Sequence, residues 1–141
     1  MIKIGIFFLF IIFLHFSGNA LGIYDTQITA GFVWFDNILH VLVGITFGLL
    51  WLQILKQKKV LHSLLFKVFS TLIFVIIMAL VWEFLEFIFY KLFTSQATAL
   101  KIYSPSIQEG LEDIFSNTIG GLMLIFTIAL SKSKSDSSIN H

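Results

Sequence analysis

Asp36 with His40, and Asp113 with Asn117, stand four residues apart, which puts each pair on one face of a helix. Glu83 and Glu86 stand three apart in Trp82-Glu83-Phe84-Leu85-Glu86-Phe87. A further apolar stretch carries His15, then Ser17 and Asn19. Ionisable side chains in such stretches are expensive in lipid and mark functional sites by default. Asp36, Glu83, Glu86 and Asp113 are four acids with no intramembrane lysine nearby, in a chain without arginine. Four carboxylates in a low-dielectric cluster cannot all ionise, so protons or a bound cation must neutralise some of them. Histidine mixed with carboxylates suits Zn²⁺, Mn²⁺ or Fe²⁺ better than Na⁺ or K⁺. A divalent metal ion is therefore the cofactor these residues admit, with Asp36, His40 and Asp113 as its ligands. Acid–base catalysis would fall to Glu83 and His40. Asp36, His40, Glu83, Glu86, Asp113 and Asn117 are expected to converge in one polar pocket.

Each of these residues also has a plainer role. Asp36 fits the N-cap of its helix, where a side-chain oxygen accepts from free N–H groups. Glu109, Glu112 and Asp113 fit the first turns of a helix, where the dipole favours acids. Glu83 and Glu86 resist that account, because they stand near a helix C-terminus, where the dipole opposes negative charge. His40 fits a neutral histidine bonded to Asp36 or Glu83, and His15 a structural one. His62 and His141 lie outside the layer.

The elements that position these groups follow from composition. In 141 residues, 57% are hydrophobic and 12% charged, and the 17 Phe equal the charged side chains in number. The mean hydropathy is +0.95. A soluble domain carries about 25% charge, and a chain this small could not hide so much apolar surface from water. The absence of cysteine excludes disulfides and thiolate chemistry. Without arginine or a basic patch among aromatics, nucleic acid is not an expected partner. The solvent is lipid. Four spans are expected, at about 3–23, 34–55, 68–91 and 109–131, each near the roughly 20 residues that cross a bilayer. The fold class is all-α: a polytopic membrane protein with four transmembrane helices.

Lysines orient the spans. Lys3, Lys56, Lys58, Lys59, Lys67, Lys132 and Lys134 fall on one side, and only Lys91 and Lys101 on the other. By the positive-inside rule both termini are cytoplasmic. Tyr24, Trp34, Tyr90 and Tyr103 then form the outer aromatic belt, with Trp51 near the inner boundary. At about 1.5 Å per residue, His15, His40, Glu83 and Asn117 all lie roughly 10 Å deep from the outer ends of their spans. The inner halves are almost purely apolar. Gly44 and Gly48 on one stripe, and Gly121 on another, predict close packing of the second and last helices.

The first span has a rival, a signal peptide cleaved near Gly18-Asn19-Ala20. Apolar character continuing to Ile23 favours retention. Ser106-Ile107-Gln108-Glu109 fits a capping box opening the last helix. Residues 1–131 read as a single transmembrane domain, and 132–141 as a disordered cytoplasmic tail.

Asp36-Asn37-Ile38-Leu39-His40 resembles the D-x-x-x-H that opens a helix in the VanZ-like family of small bacterial membrane proteins. Asp113-Ile114-Phe115-Ser116-Asn117-Thr118-Ile119-Gly120-Gly121 resembles that family's D-x-x-x-N-x-x-G segment in its last helix. Between them, the W-E-x-x-E form of Trp82, Glu83 and Glu86 is closer to the uncharacterised YjdF-like inner-membrane family. The resemblance covers roughly residues 34–125. VanZ-like proteins usually carry an arginine before the final Asp, and this chain has none, so any role of that arginine does not carry over. The resemblance implies a multi-pass protein of the bacterial inner membrane, in a family associated with glycopeptide-antibiotic resistance.

Three functions fit these residues. The first is a non-catalytic envelope protein whose polar layer holds the bundle together or binds a lipid-linked envelope precursor. The second is a membrane enzyme acting on a lipid or cell-wall precursor at the outer leaflet, through carboxylates, His40 and a possible metal. The third, a transporter or proton relay, is disfavoured because no polar path continues through the inner halves.

Overall fold

A computed structural model of the protein describes residues 2–23, 35–58, 63–100 and 107–138. They are helical apart from short turns, in the order α1 (Ile2–Ala20), α2 (Phe35–Gln57), α3 (Leu64–Leu92), α4 (Thr94–Ala99) and α5 (Ile107–Ser138). Four of these helices, with α5 counted from Ile107 to Leu130, are long and apolar enough to cross a membrane. In lipid every backbone polar group must be satisfied internally, and an α-helix does this within one segment. The protein is an all-α membrane protein.

Several helix ends follow from local chemistry. Ser63 caps α3, its Oγ accepting from the Phe66 N–H at 3.3 Å. Helix α5 starts at Ile107; Ser106, expected to cap it, lies outside the described residues, as do Tyr24, Trp34 and Tyr103 of the expected belt. The first turn of α2 contains Asp36, so this acid stands just inside the helix rather than at its cap. Helical backbone of α5 continues to Ser138, into the segment from residue 132 that is expected to be a tail.

Helices α2 and α5 make the closest pair, α3 packs on both, and α1 lies against α2. Facing residues show that α2 and α5 run parallel: Val41 meets Gly120, and Gly48 meets Leu124 further along both chains. Helix α3 runs opposite to them, with Gly110 beside Glu83 and Gly121 beside Val75. The core of this trio is thin and built of small residues; Thr71, Val75 and Asn117 are its most deeply buried side chains. Phe13, Phe69, Ile73, Phe84, Phe115 and Phe126 point outward, as apolar groups do in a lipid solvent.

Aromatic contacts fix the remaining geometry. Phe8 of α1 reaches both Phe47 and Trp82, with ring centroids 6.0 and 6.2 Å apart. Trp51 stacks on Phe74 at 4.7 Å and donates to Ser70 Oγ at 3.1 Å, joining α2 to α3 at the end away from the acids.

Glycine determines how closely α2 and α5 approach. A Cβ on Gly44 would run into the backbone carbonyl of Asn117, and one on Gly120 into that of Val41. The two contacts are reciprocal, each helix offering a glycine to the other's backbone, as in small-xxx-small crossings of membrane helices. This corrects the assignment of Gly121 to that crossing. Its Cβ would lie 3.3 Å from Val75 of α3, and Gly120 takes the α2-facing position. Successive helical residues point about 100° apart, so neighbouring glycines serve different partners.

Candidate functional site

The close approach of α2 and α5 brings the polar pairs of the two helices together at one end of the bundle. Asn117 presents its carbonyl to Gly44 and its side chain to His40. The Asn117 amide Nδ2 donates to the Asp113 backbone carbonyl at 2.9 Å and lies 3.0 Å from His40 Nδ1. A carbonyl only accepts, so the amide orientation is determined by this bond. It follows that His40 Nδ1 accepts the second Nδ2 hydrogen, and Nε2 carries the ring proton of the neutral imidazole. That Nε2 faces Asp113 Oδ1 at 3.5 Å and Asp36 Oδ2 at 3.8 Å. Asp36, His40 and Asp113 can each offer a ligand atom, all within 4.8 Å of one another.

The cluster has a buried floor and a more open edge. Asn117 is 1% exposed and His40 8%. The Asp113 side chain is 15% exposed and that of Asp36 43%. Glu83 enters from α3, its Oε2 lying 3.0 Å from where a Gly110 Cβ would sit. The absence of a side chain on Gly110 thus makes room for this carboxylate beside α5. Glu86 stands three residues beyond Glu83 on the same face of α3. Glu109 and Glu112 stay on the exposed face of the first turns of α5, Glu112 accepting from Gln108 Nε2 at 2.9 Å.

Two buried oxygens, Glu83 Oε1 and Asn117 Oδ1, have no hydrogen-bond partner among the described residues. A buried polar atom left unpaired costs about 1–3 kcal/mol. The site therefore has acceptor capacity that its own helices do not use.

All six predicted cluster residues lie at this end of the bundle. His40, Asp36, Asp113 and Asn117 form its centre, with Glu83 and Glu86 on the α3 side. His15 stands apart from the centre. Its Nε2 donates to the Leu100 carbonyl at 3.3 Å, while Asn19 Nδ2 donates to the Ala99 carbonyl at 3.1 Å. The last carbonyls of the short helix α4 have no helical partners, and α1 supplies them. Sequence reasoning missed Gly110, Gly120 and the bond from Ser116 Oγ to Asn37 Oδ1 at 3.2 Å, which joins α5 to α2 beside the cluster. The signal for Asn37 and Ser116 was present: each lies next to a residue of the main stripe.

Fold and site together define a multi-pass helical membrane protein with an acid–histidine cluster embedded at one end of its bundle. Residues 3–134 match the family described as "Predicted membrane protein (DUF2238)", and the chain belongs to that family. No curated protein and no solved structure matches the chain.

Proposed function

We propose that this is a VanZ- and YjdF-like protein of the bacterial inner membrane, whose acid–histidine pocket lies in the outer half of the bundle and binds a lipid-linked envelope precursor without transforming it. The observation that carries this reading is the unused acceptor capacity of the cluster, at the buried Glu83 Oε1 and Asn117 Oδ1. A polar layer serving only to hold helices together would satisfy its own groups. Binding is favoured over catalysis because His40, the expected proton carrier, is buried at 8% exposure beneath Asp36 and Asp113.

The second reading, a carboxylate- or metal-dependent enzyme acting on the same class of lipid, draws support from Glu83. Its carboxylate sits beside Gly110 through Oε2 and carries a second, buried oxygen, Oε1, without a partner among the described residues, an arrangement that suits a general acid or base.

Native mass spectrometry of the purified full-length chain with a polyprenyl phosphate tests both. The binding reading expects an intact adduct that Asp36→Asn with Asp113→Asn removes while the variant stays folded. No adduct, or an equal one in the variant, overturns it. Conversion of the bound lipid, abolished by Glu83→Gln, would establish the enzyme instead.

A further inference from the structure

We infer that Asp36, His40 and Asp113 form a binding site for one divalent transition-metal ion, with Asn117 as the group that orients His40. The inference deepens the reading above, since it names what the pocket uses to hold a phosphate-bearing ligand. Four carboxylates repel a phosphate; a metal ion among them reverses that and offers the phosphate oxygen a coordination position.

The separations fit. A tetrahedral ion with bonds of about 2.0–2.2 Å places its ligand atoms roughly 3.3–3.6 Å apart. His40 Nε2 lies 3.5 Å from Asp113 Oδ1 and 3.8 Å from Asp36 Oδ2. Small side-chain rotations therefore bring all three onto one ion. Three protein ligands leave a fourth position open, the pattern of zinc sites that act on or hold a second molecule rather than serve as structural staples. The more exposed Asp36 lies on the side from which an ion would enter.

Asn117 supplies the independent observation. It is 1% exposed, touches the candidate ligand His40, and carries an oxygen with no partner. A metal on Nε2 requires the ring proton on Nδ1, and a metal-bound histidine almost always donates that proton to a neighbouring acceptor. Turning the Asn117 amide over brings Oδ1 to Nδ1–H and gives up the 2.9 Å bond from Nδ2 to the Asp113 carbonyl, a loss that coordination at Nε2 must outweigh. The oxygen left over in the metal-free arrangement is the acceptor that the metal-bound arrangement uses.

The experiment titrates ZnCl₂ alone into the EDTA-stripped full-length chain in detergent, by isothermal calorimetry, with helix content and melting followed for each variant. One Zn²⁺ per chain is expected. Asp113→Asn and Asp36→Asn should each weaken it by at least about tenfold, Asn117→Ala by about 10–100-fold, and Glu109→Gln not at all. No binding, or binding unchanged in a folded Asp36→Asn/Asp113→Asn double variant, overturns the site. Should His40→Ala fail to fold, the aspartate variants still decide. The two readings fail separately: zinc bound without any lipid adduct retains the metal site and removes the precursor, while a lipid adduct that persists after EDTA stripping does the reverse.

Discussion

Asn117 and Glu83 are both polar side chains in a lipid-embedded bundle, yet the structure gives them opposite energetic roles. Asn117 holds His40 and the Asp113 carbonyl through a single amide nitrogen. Replacing it by leucine removes both bonds and leaves His40 Nδ1 buried without a donor. The expected loss is about 1–3 kcal/mol, the cost of an orphaned buried group, read as a lower melting temperature in detergent. Glu112→Gln on the exposed face should change stability by less than about 0.5 kcal/mol. Glu83 is expected to behave the other way, because a buried carboxylate oxygen with no partner costs stability in the folded protein. Glu83→Gln should leave the melting temperature unchanged or raise it, while weakening whatever the pocket binds. A marked fall in melting temperature would make Glu83 a structural residue and remove it from the site.

Among the helices, glycine positions decide the architecture, and the space around each grades the outcome of adding a methyl group. Gly44→Ala and Gly120→Ala drive a Cβ into a backbone carbonyl, so the helices must separate, and each should lose about 1–3 kcal/mol, as overpacked cores do. Gly48→Ala meets the flexible tip of Leu124 at 2.7 Å and should lose less. Gly121→Ala, 3.3 Å from Val75, should lose less again. Gly5→Ala meets nothing within 4 Å and should be neutral or gain up to about 1 kcal/mol from helix propensity. Thermal melts of the five variants test the order. Equal tolerance at Gly44 and Gly5 would remove the backbone-to-backbone contact between α2 and α5. This crossing also marks the limit of what the sequence revealed. The stripe through Asp36, His40, Gly44 and Gly48 was legible because a spacing of four keeps residues on one helix face. Which of two adjacent glycines answered it was not, since Gly120 and Gly121 differ only in direction around α5, and packing selects between them. Gly110 was equally silent, because its meaning comes from Glu83 on a helix distant in sequence. The spans were legible from apolar run length, their ends agreeing to within a few residues. The helix α4 was not, because a single turn in a mixed loop leaves no periodic signal.

At the scale of the molecule, the question is which side of the membrane the acid cluster faces. Helices α2 and α5 begin at the cluster, and α1 and α3 end there, so all four spans place their polar residues at one end by alternating direction. The other end carries Lys56, Lys58 and Lys67, and the last turns of α5, beyond its apolar span, add Lys132 and Lys134. Charge on short loops orients helices because lysines are retained on the cytoplasmic side during insertion. The cluster, α4 and the loop around it are therefore expected outside, and the C-terminus inside. Helix α1 belongs to this arrangement: Phe35 covers Gly18, and His15 and Asn19 hold the end of α4. If α1 stays attached, mass spectrometry of the membrane-extracted protein returns the N-terminal peptide, whereas cleavage near Ala20 removes it and leaves the Ala99 and Leu100 carbonyls without these donors. Topology itself is tested with two single-site tags in intact cells, one at the exposed Ser95 of α4 and one after the C-terminus. A membrane-impermeant reagent should label the Ser95 tag directly and reach the C-terminal tag only after permeabilisation. The reverse pattern would put the acid cluster on the cytoplasmic face. A lipid-linked envelope precursor at the outer leaflet could not then be its ligand, although a metal ion still could.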